Sequence, residues 1–270
     1  MGKSIIRFLH GMIVLSAIML LSCSSTVQQQ NVDNAPAPGF NLAGSDAKAV
    51  AIADEVMKKL GGRENWDKTR YITWRFFGRR LHVWDKWTGN ARIESGKLII
   101  LMNLNTKSGR AWQDGQEITH PDSLKKELEK GYAFWVNDSY WVFMPYKLKD
   151  SGVTLKYHGE GKMADSSAAD ILALTFENVG LTPQNKYLVY VDKATRLVGQ
   201  WDYFQNASDA MSRMSSPWKN WQKLGSIMLS DDRGRGKHSD LAVFDELPAA
   251  VFQSPEPVNF QSMKTATPQQ

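Results

Sequence analysis

The sequence predicts a mainly β (α+β) domain: a single curved antiparallel sheet forming an incomplete barrel, with helices covering its concave side. Three observations point there. Short runs with alternating apolar residues succeed one another along most of the chain, turn residues separate them, and only two stretches carry helical spacing. Strands joined by tight turns pair antiparallel, and a large twisted sheet of them buries one face against a few helices.

The first helical stretch opens at Ser45-Asp46, where Ser45 is placed to cap and Asp46 to face the positive helix end. Ala49, Ile52, Ala53, Val56, Met57 and Leu60 recur at three- and four-residue spacing, which makes one apolar face. Gly61-Gly62 ends it. The second begins at Pro121, with Asp122 and Ser123 near its start, and runs through Leu124, Leu128 and Tyr132 toward Asn137. Gly131 loosens its register.

Strand patterns fill the remainder. Over 71–77, Ile72, Trp74 and Phe76 share one face while Thr73 and Arg75 take the other. A strand at 81–87 turns at Thr88-Gly89-Asn90 into one at 91–94. The next, 97–104, is apolar at Leu98, Ile100 and Met102 and also at Ile99 and Leu101, so both of its faces are expected to be covered. Further strands are predicted at 110–113, 140–144, 153–159, 169–178, 186–192, 197–204, 218–229 and 239–247. Asp114-Gly115 and Asp192-Lys193-Ala194-Thr195 mark hairpin turns.

The chain ends have a different composition. Lys3 and Arg7 precede an apolar run that reaches Leu21 and is too short for a span of about 20 residues, as in a signal-peptide core. Leu20-Leu21-Ser22-Cys23 follows and resembles the bacterial lipobox. That resemblance implies a signal peptide over 1–22 and lipidation of Cys23, which then tethers the chain to a membrane. Cys23 is the single cysteine, so a disulfide within one molecule and a cysteine metal site are both excluded. Residues 24–45 are rich in Ser, Gln, Asn, Pro and Gly, so 23–45 is expected to be the lipidated cysteine plus a flexible tether. Residues 254–270 are expected to be a disordered tail, which leaves 46–253 as the folded domain. Ser24-Ser25 lacks the aspartate that favours inner-membrane retention in Gram-negative bacteria. The expected location is therefore the outer membrane, facing the periplasm.

Composition narrows the function. The net charge of +5 would suit nucleic acid, but an exported chain does not meet it. Mild positive charge instead suits solubility or attraction to anionic lipid head groups. His82, His120, His158 and His238 are scattered, with no spacing that suits a metal, so no metal or other cofactor is expected. Glu55 with Glu64, or Asp231 with Asp232, could pose as paired carboxylates, yet nothing in their spacing sets them across a cleft. No Gly-Xaa-Ser-Xaa-Gly elbow or glycine-rich phosphate loop occurs, so no catalytic residue is assigned. Gly234-Arg235-Gly236-Lys237 reads as a solvent-exposed hairpin loop.

The ten tryptophans are the most distinctive feature. Each offers a large apolar area with one polar handle, which suits a core, an apolar pocket or a sugar-stacking surface. Trp74, Phe76, Trp84, Trp201 and Tyr203 exceed what a simple two-layer core needs and are assigned to a hydrophobic cavity lining, together with Trp141, Phe143 and Tyr190.

Several segments together resemble the LolA/LolB-type fold of the outer-membrane lipoprotein sorting proteins. They are the helix 47–60 with Gly61-Gly62 and an aromatic strand after it, Trp141-Val142-Phe143-Met144-Pro145-Tyr146, and Tyr187-Leu188-Val189-Tyr190-Val191-Asp192 with its return strand 197–204. Leu247-Pro248-Ala249-Ala250-Val251-Phe252 closes the series. The resemblance spans 46–253 and implies a cavity between sheet and helical lid that holds acyl chains. Two family features have no residue-by-residue counterpart: an exposed leucine-bearing loop, and a lid-locking arginine, for which Arg75 and Arg79 lie in the corresponding region. The expected function is non-catalytic binding of lipid or lipoprotein acyl chains by a membrane-anchored lipoprotein. The alternative is a cell-envelope interaction protein that meets a protein or glycan partner through its sheet surface.

Overall fold

A computed structural model of the chain describes residues 32–265. The expected signal peptide, Cys23 and the tether as far as residue 31 lie outside the described residues, as do residues 266–270. Helices α1 (Ala47–Lys59) and α2 (Arg63–Lys68) precede a run of strands β1 (Tyr71–Phe76), β2 (Arg80–Asp85), β3 (Asn90–Ser95), β4 (Leu98–Asn103), β5 (Ser108–Gln113) and β6 (Gln116–Glu117). Helix α3 (Pro121–Phe143) leads to β7 (Val153–Lys162), β8 (Ala168–Phe176), β9 (Lys186–Asp192), β10 (Val198–Phe204) and β11 (Met214–Pro217). The chain then forms β12 (Lys219–Leu224), β13 (Ile227–Asp232), β14 (Ser239–Phe244) and the short α4 (Ala250–Gln253).

The strands pair antiparallel and do not close, giving an incomplete barrel with helices against its concave side, as the sequence predicts. Backbone hydrogen bonds group them as β14-β1-β2-β3-β4-β5-β6, β11-β10-β9-β8-β7 and the β12–β13 hairpin. Apolar residues from the inner faces of all three groups meet α1, α2 and α3 in one core. Trp74 and Ile72 of β1, Val56 of α1, Phe143 of α3 and Val189 of β9 are all buried there.

Strand β4 is apolar on both faces for the reason its pattern suggests. Leu98, Ile100 and Met102 pack beneath Leu124, Leu128 and Tyr132 of α3, while Leu101 faces an outer recess shared with Leu247 and Phe252. Gly131 of α3 answers a steric need. A Cβ there would stand 2.8 Å from the Ile100 side chain, so the glycine lets the helix approach the sheet.

Three local expectations are corrected. Residues 140–144 continue α3 as far as Phe143 and are not a strand; the helix gives way to a 3-10 turn over Met144–Lys147, with Pro145 near its start. Buried Asp138, Ser139, Val142 and Phe143 share one helical face, a period of three to four that aromatic neighbours at Tyr140 and Trp141 disguise. Residues 218–229 form the β12–β13 hairpin, because Gly225 takes the left-handed backbone (φ 58°) that a tight turn needs. Ser45 does not cap α1. Its hydroxyl donates to the Asn41 carbonyl (2.7 Å) and accepts from the Leu155 amide (3.0 Å), while Asp46 accepts from the Tyr157 amide (2.9 Å). Both residues thereby fasten the helix start to β7.

Both flanks are more ordered than their composition suggests. Asn34 is buried, and Lys149 Nζ donates to its carbonyl and to Asp54. Asn41 and Asp46 amides bond to the Val153 and Leu155 carbonyls, so the end of the expected tether lies along β7. At the other end, residues 254–265 lie on the outer face of the seven-stranded sheet, where Val258, Phe260 and Met263 pack over Leu81 and Val83. The buried Arg92 guanidinium donates to the carbonyls of Val251 (3.3 Å), Ser254 (2.7 Å), Pro255 (3.2 Å) and Glu256 (2.9 Å). Polar residues without apolar periodicity are held there by their backbone, which composition does not reveal.

Candidate ligand cavity

Between α3 and the five-stranded sheet lies a partly open cavity of about 570 Å³. Its size falls within the range of small-molecule sites. Strand parity builds its sheet wall. Trp201 pairs with Val189 and Tyr203 with Tyr187, so the four side chains share the inner face of β9 and β10. Phe176, at the end of β8, adds to that wall, and Trp135, Val136 and Tyr140 of α3 face it. The loop between β8 and β9 forms the rim with Val179, Gly180, Leu181 and Thr182, and Leu181 is 55% exposed.

The wall is a connected aromatic cluster. Trp201 lies with its ring centroid 4.9 Å from Trp141, 4.9 Å from Tyr187 and 5.8 Å from Tyr140. Burial pushes the Tyr140 phenol well above its usual range, with the Tyr187 ring and the Asp150 carboxylate adding to the shift. The Tyr140 hydroxyl and the indole nitrogens of Trp135 and Trp201 are buried without a protein hydrogen-bond partner. Near the start of β7, Lys147 is tied to Asp150 at 2.6 Å.

The helix that forms one side of this cavity is pinned from the sheet. Arg80 grips Asp138 with two hydrogen bonds of 2.7 Å, and His82 Nε2 meets the same carboxylate at 2.7 Å. Burial tends to raise the Asp138 pKa, but the bonds from Arg80 and His82 outweigh it and hold the carboxyl below its ordinary range. Burial pushes the His82 pKa down. Further along, Arg233 donates to the Trp141 carbonyl at 3.1 and 2.7 Å, and its guanidinium lies 3.7 Å from the centre of the Trp218 ring. Burial lowers the pKa of Arg233 to about 9. Arg75 pairs with Asp240 of β14 and Arg79 is exposed in the β1–β2 turn, whereas Arg80 of β2 and Arg233, just past the end of β13, reach α3.

The structure distributes the eight residues assigned to a cavity lining. Trp141, Trp201 and Tyr203 line the cavity. Trp74, Phe76 and Phe143 are buried in the adjoining core, where Trp84 packs half-buried between Trp66, Trp135 and Phe143. Tyr190 projects from the opposite face of β9, where its hydroxyl donates to Asp202 (2.7 Å). Sequence reasoning missed Tyr140, Phe176 and Tyr187. For Tyr187 a signal was present: it shares parity with the apolar Val189 and Val191, and Tyr190 does not.

The carboxylates considered for chemistry have other partners. Glu55 pairs with Arg196 and Glu64 with Lys68. Asp231 accepts from Asn220 and Gln222, and Asp232 pairs with Lys237.

No protein-family profile matches the chain, and no curated protein matches it. Among solved structures, the chain is similar to a DUF1329 family protein from Desulfovibrio piger, at 12% identity and a TM-score of 0.40, over 80% of this chain and 99% of that one. It is similar to a putative outer membrane lipoprotein-sorting protein domain from Vibrio parahaemolyticus at 11% identity and a TM-score of 0.38, over 76% and 96%. A third likeness, to MucB, has 15% identity and a TM-score of 0.26, over 62% of this chain and 56% of that one.

Proposed function

We propose that this protein is a lipid-anchored envelope protein that binds acyl chains of lipid or lipoprotein in the cavity beside α3, without catalysing a reaction. The observation that carries the reading is that cavity of about 570 Å³, walled by Tyr140, Trp141, Phe176, Tyr187, Trp201 and Tyr203. A concave, mainly apolar hollow of this size with an opening to solvent has the form of a small-molecule site, and its aromatic wall suits an apolar ligand. Membrane attachment through Cys23 would set the domain beside its ligand, and an outer-membrane location facing the periplasm follows from Ser24-Ser25.

Native mass spectrometry of the gently purified chain tests the reading. Co-purified acyl species, or saturable quenching of tryptophan fluorescence by added lauroyl lipid, are expected. A clean apo mass with no quenching would favour an interaction protein that meets a protein or glycan. For the anchor, Cys23→Ala should move the protein from the membrane fraction and abolish incorporation of a labelled fatty acid. Unchanged fractionation without label would sink the lipoprotein assignment.

A further inference from the structure

The seven-stranded sheet carries a second hollow, on its outer face. This recess has a volume of about 560 Å³ and lies between the sheet and residues 247–253. Strand pairing builds its floor. Tyr71 pairs with Asp85, Asn90 with Asn103, and Asn103 with Ser108, and all five line the recess from the outer face of β1 to β5. Leu247, Phe252 and Gln253 form the facing wall. That wall is fixed, because the Arg92 guanidinium holds the carbonyls of Val251 and of residues 254–256.

The chemistry of the recess differs from that of the inner cavity. Its two arginines are already committed, Arg70 to Asp85 at 3.0 and 3.2 Å and Arg110 to Glu117 at 2.7 Å twice, so neither offers an unpaired charge to an anion. The groups left over are uncharged. Asn90 Oδ1 accepts from Asn103, while Asn90 Nδ2 and the exposed Gln253 amide have no partner among the described residues. Amide side chains donate and accept at once, as ligand hydroxyls do. The floor is the face of a sheet, whose backbone groups are spent in its ladders, so an extended peptide would find no strand edge to pair with. At the rim, Trp87 stands between the lining residues Asp85 and Thr88 and is 59% exposed. Its indole nitrogen donates to the Asp67 carbonyl at 3.0 Å, and the Arg70 guanidinium lies 5.1 Å from its ring centre and 4.6 Å from that of Tyr71. The ring is held without being covered. A fixed aromatic surface gives large contact area at low entropic cost. A sugar suits this combination, since its ring has an apolar C–H face and an edge of hydroxyls.

We propose that the outer recess binds a neutral oligosaccharide, whose hydroxyls bond Asn90, Gln253 and Thr88 and one of whose rings stacks on Trp87. The site is independent of the acyl-binding cavity, with which it shares no lining residue.

Isothermal titration calorimetry tests this on the full chain, kept in a polyoxyethylene detergent because that carries no sugar. The probes are maltohexaose, cellohexaose and hexa-N-acetylchitohexaose, with a Gly-Ser hexapeptide and inorganic phosphate as the rival classes. At least one sugar should bind with a Kd between about 10 μM and 1 mM, and bind more tightly than the peptide or phosphate. Trp87→Ala and Asn90→Ala should each weaken it about five- to tenfold, the size of one lost contact. Trp87→Phe, which keeps an aromatic face, should retain most of the affinity, and Tyr203→Ala in the inner cavity should leave it unchanged. Thermal melts confirm that each variant is folded. No heat from any of the three sugars at millimolar concentration would overturn the proposal. So would tighter binding of phosphate or the peptide than of every sugar, or equal affinity of Trp87→Ala and the unaltered chain.

Discussion

Asp138 of α3 and Arg80 of β2 form a two-pronged ion pair, 2.7 Å at each contact, that links the long helix to the seven-stranded sheet. The carboxylate side chain is fully buried and also meets His82, while the guanidinium lies over the rings of Phe76 and Phe134. Position on the helix makes the pair consequential, because Tyr140 and Trp141, two and three residues further on, line the cavity. What fixes Asp138 fixes the cavity wall.

Breaking this pair from one side should therefore be severe. Arg80→Leu would leave a buried carboxylate with only His82 and Asn137 to answer it, and a loss of about 3–5 kcal/mol is expected. Urea unfolding at neutral pH measures it. The double variant Arg80→Leu/Asp138→Leu should recover much of the loss, and no recovery would show that packing rather than charge dominates.

Two buried histidines give a pH dependence whose sign is set by burial. His238, stacked on Phe77 at 4.8 Å, has its pKa pushed down to about 3 by burial and by the nearby Arg233 cation, and His82 is lowered as well. Each is neutral when folded and takes a proton more readily when unfolded. Stability is thus whole above the unfolded histidine value near 6.5 and declines as the pH falls below it, by roughly 1.4 kcal/mol per pH unit for each histidine that stays neutral. Asp138 adds in the same direction at lower pH, since its folded pKa lies below the ordinary carboxylate value. Urea melts at pH 7.5 and 5.0 test this, and His238→Phe should flatten the slope. A pH-independent midpoint would contradict it.

The division of aromatic residues between core and cavity predicts opposite phenotypes. Trp74, fully buried and stacked on His82 at 4.7 Å, should lose about 3–5 kcal/mol on truncation to alanine with ligand affinity largely kept in the folded fraction. Tyr203, half-buried in the cavity wall, should lose less stability and more affinity on the same change. Paired thermal and probe-binding titrations would reveal a reversed order if the cavity is misassigned.

The C-terminal segment should prove structural. Ending the chain at residue 253 removes three of the four carbonyls that hold the Arg92 guanidinium, leaving Glu94 and the Val251 carbonyl for a fully buried charge. A loss of about 3–5 kcal/mol is expected, whereas ending at residue 265 should leave the melting transition in place. Equal stability of the two truncations would show that the segment only rests on the sheet.

Local order was legible wherever one period dominated a stretch. Alternation at Ile72, Trp74 and Phe76 placed β1, the three-four spacing from Ala49 to Leu60 placed α1, and apolar residues on both faces of β4 announced two covers. Such patterns are visible in a string of letters because burial acts through repeats of two or of three to four residues. The aromatic run at Tyr140–Phe143 satisfied both periods, and only packing against the sheets settled it as helix. The same holds for the site. Trp141, Trp201 and Tyr203 were legible as cavity candidates, but the exchange of Tyr190 for Tyr187 turned on strand register, and the part of Arg80, Arg233 and Arg92 turned on partners 58, 92 and about 160 residues away. The chain's own letters decided most of the strands and the first helix, and tertiary structure alone decided the end of α3 and which side chains face the hollow. Facing is set by pairing between distant segments, and no local period records it.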